Sequence, residues 1–190
     1  MLNTRVIALL MMILAAAATR LLPPVLGVWN FTGVGAICLF GGAYFRRDWV
    51  ALFVPLAALL LSDVLLAALL YGFVGFPVIW MNYVLFGLTV VFGRALKGCV
   101  TFGRVTIAAV AASIMFFLVS NFHVWLTGHD GYPYTPAGLF ACYAAALPFA
   151  ESMLLGNLFY CGVLFGGYEL LTRQWPILRE PKLAAVKVRR

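Results

Sequence analysis

The sequence predicts an all-α integral membrane protein with six transmembrane helices. Of its 190 residues, 65% are hydrophobic and only 10% are charged, more apolar surface than a soluble domain of this length can hide. Six apolar runs follow one another, separated by proline, glycine or charged residues. The thirteen Lys and Arg residues are unevenly shared between the loops: for a six-helix chain, twelve fall on one side and Arg20 alone on the other. By the positive-inside rule both termini are cytoplasmic, N-in and C-in. Residues 1–172 then form a single six-helix transmembrane domain, and residues 173–190 a basic cytoplasmic tail. The net charge of +7 is scattered over helix ends, which fits topology and not a nucleic-acid surface.

The first run, residues 4–22, opens on Arg5, is rich in alanine, and stops at Pro23-Pro24, where a backbone N–H is lost. It resembles a signal peptide but is read as the first helix. The second, residues 29–45, carries Gly33, Gly35, Gly41 and Gly42, which in a membrane let a neighbouring helix approach closely. The third, residues 50–71, contains Pro55 and Asp63. The fourth, residues 78–96, starts near Asn82 and Tyr83 and ends at Arg94. The fifth, residues 104–126, closes on Asn121, His123 and Trp125. Residues 127–136, TGHDGYPYTP, read as a loop. Residues 137–147 are too few to span and read as a separate interfacial or re-entrant segment, which Pro148 divides from a sixth helix over residues 149–171. Loop and short segment together are expected to form a lid over an outer cavity.

Asp63 organises the polar residues. At about 1.5 Å per residue it lies about 20 Å from one end of its run and about 12 Å from the other. A charge at that depth costs about 2.5–3.5 kcal/mol, so it should face protein or a water-filled cavity. Asn30, Asp63, Asn82, Tyr83, Asn121, His123, Trp125 and Glu151 all fall in the outer half, with Asn157 nearer the middle. An outward cavity with apolar walls and a few orienting hydrogen-bonding groups is the economical explanation. Asp63 is its expected anchor, bonded to Asn82 or Asn121. Each residue also has a structural reading. Asn30 can cap a helix, Asn82 and Asn121 can join helices, and His123 can simply be solvated. Glu151 can favour a helix N-terminus, and Asp63 can be a buried structural acid.

Cys38, Cys99, Cys142 and Cys161 form no C-x-x-C, and no Cys/His cluster has metal-ligand spacing. They are read as structural thiols without disulfides. H-E-x-x-H, G-x-S-x-G and Walker A motifs are absent, so neither catalysis nor a cofactor is expected.

Several blocks in order, NFTGVGAICLFGGAYF, PLAALLLSD, NFHVWLTG, GLFACYAAALPF and LLGNLFY, resemble an uncharacterised family of small bacterial six-helix membrane proteins. That family in turn is similar to the substrate-binding S components of energy-coupling-factor (ECF) vitamin transporters. The resemblance covers about residues 28–168. It implies an S-component-like bundle in the bacterial cytoplasmic (inner) membrane that captures a vitamin or similar small molecule near the outer face. It also implies an ECF energising module as partner, contacted by small residues of the first helix; Ala15-x-x-x-Thr19 matches that motif in part. The alternative is a structural or scaffolding membrane protein that shares the fold and transports nothing.

Overall fold

The computed structural model describes residues 4–22, 30–71, 80–128 and 130–179. Residues 1–3, 23–29 (with Pro23-Pro24), 72–79, 129 and 180–190 (most of the expected tail) lie outside the described residues. All described elements are helical. They are α1 (Thr4–Ala18, ending in a 3-10 turn Thr19–Leu21), α2 (Val34–Tyr44), α3 (Asp48–Leu66, continued by a π turn Ala67–Tyr71), α4 (Trp80–Ala95), α5 (Phe102–Thr127), α6 (Pro136–Cys161), a π turn Gly162–Gly166, and α7 (Gly167–Gln174). Among the described residues, four stretches are long and apolar enough to cross a membrane: Thr4–Leu21, Asp48–Leu69, Phe102–Thr127 and Pro136–Gln174.

The bundle is built around α2. Nine of its eleven residues are buried, and it touches α1, α3, α4, α5 and α6. Glycine permits this. A methyl group at Gly42 would run into the Val90 carbonyl and the Gly93 backbone of α4, and one at Gly93 into the Leu39 carbonyl. A methyl at Gly41 would meet the Pro55 ring of α3. Backbone therefore packs on backbone, the role read from the glycine-rich run. Phe40 fills the centre, with Tyr44, Phe165 and Tyr168 packed around its ring.

The run over residues 29–45 is not one spanning helix, as the sequence suggested. At about 1.5 Å per residue α2 is about 16 Å long, half a bilayer core. Residues 30–33 are irregular: Asn30 has a left-handed φ of 61°, and Gly33 is the N-cap. Tyr160 and Gly156 of α6 explain the unwinding. A methyl at Gly33 would strike the Tyr160 ring, and Thr32 lies directly on Gly156. Non-helical backbone at membrane depth is tolerated only where protein or a cavity surrounds it.

A second departure concerns residues 137–147, which are not a separate interfacial segment. They belong to α6, which runs through Pro148 and on through the π turn and α7 as one 39-residue rod. A proline inside a membrane helix is tolerated when neighbouring groups accommodate the freed carbonyl. The α5–α6 hairpin is defined at both ends: Gly128 closes α5 with a left-handed φ of 64°, and the Thr135 hydroxyl caps α6 by accepting from Gly138 N–H. Beyond the π turn, α7 ends at Gln174, and Leu178 after it is buried, its carbonyl accepting from the Tyr168 hydroxyl at 2.8 Å.

One end of the bundle collects basic residues. Arg94 donates to the carbonyls of Phe45 (2.6 Å) and Gly42 (3.2 Å) at the end of α2, where a cation suits the helix dipole, and pairs with Asp48. Lys97 donates to the Arg46 carbonyl, and buried Arg5 to the Tyr44 carbonyl and the Tyr168 hydroxyl. Arg20 lies at the opposite end of α1, beside the start of α2.

Candidate functional site

Unwinding the chain before α2 leaves room at that end of the bundle. A cavity of about 360 Å³ opens there between α1, α2, α4, α5 and α6. Its walls are largely apolar: Phe86 of α4 stacks on Phe116 of α5 at 5.2 Å between ring centroids, with Phe117, Phe149 and Met153 completing them. The polar lining consists of four side-chain amides, Asn30, Asn82, Asn121 and Asn157, the hydroxyls of Thr32, Thr89, Ser113 and Ser120, and the Arg20 guanidinium. Val34 and Gly35, whose N–H groups open α2, also line it.

Asn157 is the most constrained of these. It is 3% exposed, in a stretch of α6 where Gly156 lets the chain before α2 approach. Its Nδ2 donates to the Ala109 carbonyl (3.2 Å) and to Ser113 Oγ (3.0 Å) of α5. Its Oδ1 has no hydrogen-bond partner among the described residues. Gly35 leaves space for this amide, because a methyl there would sit within 3 Å of both amide heteroatoms. An unpartnered buried carbonyl of this kind costs about 1–3 kcal/mol. Asn30 and Asn82 make no side-chain hydrogen bond among the described residues. Asn121 donates to the Phe117 carbonyl of its own helix at 2.8 Å.

Asp63 stands beside the cavity and not in its lining. Its partners are neither Asn82 nor Asn121. It pairs with Arg20, Nη1 to Oδ1 at 2.6 Å, and accepts from the Tyr83 hydroxyl. The same Arg20 nitrogen donates to Ser62 Oγ and the Leu59 carbonyl, whereas Arg20 Nε is buried without a partner. Arg20 is the residue that sequence reasoning missed. It was visible as the one basic side chain on the sparsely charged side, but charge counting gives it no partner; only the packing of α1 on α3 does that.

The remaining sequence candidates lie elsewhere. Tyr83 borders a separate apolar groove along the exposed face of α3, with Phe53 and Leu60. His123 packs edge-on against Trp80 at 5.7 Å. Trp125 donates from Nε1 to the Pro133 carbonyl at 3.0 Å and meets Tyr134, which fastens the 130–135 loop to the end of α5. That loop does not line the cavity, and from residues 137–147 only Ala146 does, so the expected lid is not formed. Glu151 is exposed on α6. On α1, Ala15 is exposed, while Thr19 is half-buried and returns its hydroxyl to the Ala16 carbonyl of its own helix. Among the described residues, no three His, Cys, Asp or Glu side chains gather as metal ligands.

The model of a family of unknown function, DUF6580, matches residues 1–179. The chain belongs to this family. No curated protein and no solved structure matches the chain. Membership therefore covers both the bundle and the cavity-lining residues, and attaches no activity to them.

Proposed function

We propose that the protein is a membrane substrate-binding subunit for uptake of a vitamin or similar small molecule. It crosses a bacterial cytoplasmic membrane six times, with both termini inside and the cavity facing outward. In this reading the irregular residues 30–33 together with α2 form one further crossing, and the 16-residue α4 the other, beside the four long ones. The orientation rests on the basic end of the bundle, where Arg5, Arg46, Arg94 and Lys97 meet, opposite Arg20. An ECF energising module as partner, docking on the exposed Ala15 side of α1, belongs to the same reading. No catalytic step is assigned.

The single observation that carries it is Asn157: a 97% buried amide whose carbonyl lacks a donor, on the wall of a 360 Å³ cavity of ligand size. A scaffold needs no such cavity and would fill it; here the phenylalanines form walls and leave the centre open. The test is mass spectrometry of small molecules extracted from protein purified in nanodiscs. A near-stoichiometric compound in the wild type that is depleted in Asn157→Leu supports the reading. Empty protein that is also not stabilised by a total metabolite extract refutes it.

A further inference from the structure

We infer that the cavity takes an organic acid, a compact molecule with one carboxylate and, apart from it, a hydrogen-bond donor. This rests on the small-molecule reading above and narrows it to a chemical class. Three observations converge. First, Arg20 lines the cavity with its guanidinium half used: Asp63, Ser62 and Leu59 all engage Nη1, and Nε is buried without a partner. Nε and Nη2 form the edge that matches a planar carboxylate with two parallel bonds. Asp63 fixes the side chain through the other nitrogen, which leaves the Nε side buried and without a partner. Second, α2 is a broken helix whose first turn, Val34 and Gly35, borders the same cavity. Its unpaired N–H groups and dipole favour an anion, the device by which discontinuous transporter helices receive substrate carboxylates. Third, none of the described lining residues is acidic. A cationic ligand would therefore find no carboxylate in the lining to pair with, since Asp63, outside it, is already engaged by Arg20.

Asn157 sets the second requirement. Its buried Oδ1 can only accept, so the ligand must bring an N–H or O–H. Asn30 and Asn82 can serve either polarity, and the Phe86–Phe116 pair offers flat apolar surface to the body of the molecule.

The test uses the full chain in nanodiscs and a bacterial metabolite extract separated by ion exchange into anionic, neutral and cationic fractions. Thermal stabilisation by each fraction is measured, and again after carboxylates have been amidated with carbodiimide and ammonia. The expected result is stabilisation by the anionic fraction alone, abolished by amidation. Apparent affinity should fall about 10–100-fold in the Arg20→Gln/Asp63→Asn double variant, the worth of a charge-assisted pair. The double variant replaces an ion pair by a neutral pair of similar shape, and its ligand-free melt shows whether it is folded. If it is not, the amidation arm decides on the wild-type protein. Stabilisation by the neutral or cationic fraction, or by the anionic fraction regardless of amidation, overturns the organic-acid inference and leaves the small-molecule reading standing. No stabilisation by any fraction overturns both.

Discussion

Arg20 and Asp63 form an ion pair at 2.6 Å that ties the end of α1 to α3, with both side chains more than four-fifths buried. Each is the other's main counter-charge there, so removing one alone strands the other. Asp63→Asn and Arg20→Gln should each destabilise the protein by about 3 kcal/mol, the lower end of what breaking a buried pair costs. The double variant should lose clearly less than the sum. Detergent thermal melts of the two single variants and the double variant give this coupling directly; additive losses would show that the pair is not a unit.

Tyr83 supports the same carboxylate from α4. Tyr83→Phe removes only the hydroxyl and should cost about 1.5–3 kcal/mol, typical of a hydrogen bond to a charged group. In the Asp63→Asn background the same change should cost less. An equal cost in both backgrounds would mean that the hydroxyl acts elsewhere.

The contact between α2 and α4 rests on Gly42 and Gly93. Gly42→Ala places a methyl on the Val90 carbonyl and should cost about 3 kcal/mol or prevent assembly, since backbone cannot yield as a side chain does. Gly103→Ala, where nothing lies within 4 Å, should stay within about 0.5 kcal/mol of wild type. Fluorescence size-exclusion profiles after a heating step compare the two; equal tolerance would contradict the close approach.

Gly35→Ala tests the cavity through its wall. The added methyl meets the Asn157 amide and must displace it. Ligand retention should fall as in Asn157→Leu, while the ligand-free melt changes less than in Gly42→Ala. Unchanged retention would separate Asn157 from the site.

Much of this was legible in the sequence. The α1, α3 and α5 runs declare themselves by length and hydropathy, and the glycines of α2 announce close packing. Asn30, Asn82, Asn121 and Asn157 were already notable as amides in apolar runs, and the structure brings all four to one cavity. What was not legible depends on contacts between helices. Pro148 reads as a break because local rules disfavour proline in a helix, and only its surroundings keep α6 continuous. The irregular 30–33 segment is imposed by Gly156 and Tyr160, far away in the chain. Arg20 and Asp63 stand at similar depths on separate helices, and no spacing rule pairs α1 with α3. His123, Trp125 and Glu151 share the depth of the site but face other ways, which depth alone does not reveal.

The claim that the cavity opens outward is tested most directly by labelling Ser120→Cys, a half-buried cavity position, in a Cys99→Ser background that leaves only buried native thiols. Intact cells are treated with a membrane-impermeant maleimide, and inverted membrane vesicles in parallel. Labelling is expected in intact cells, with little in inverted vesicles. Labelling in inverted vesicles but not in intact cells would place the cavity on the cytoplasmic side and contradict it.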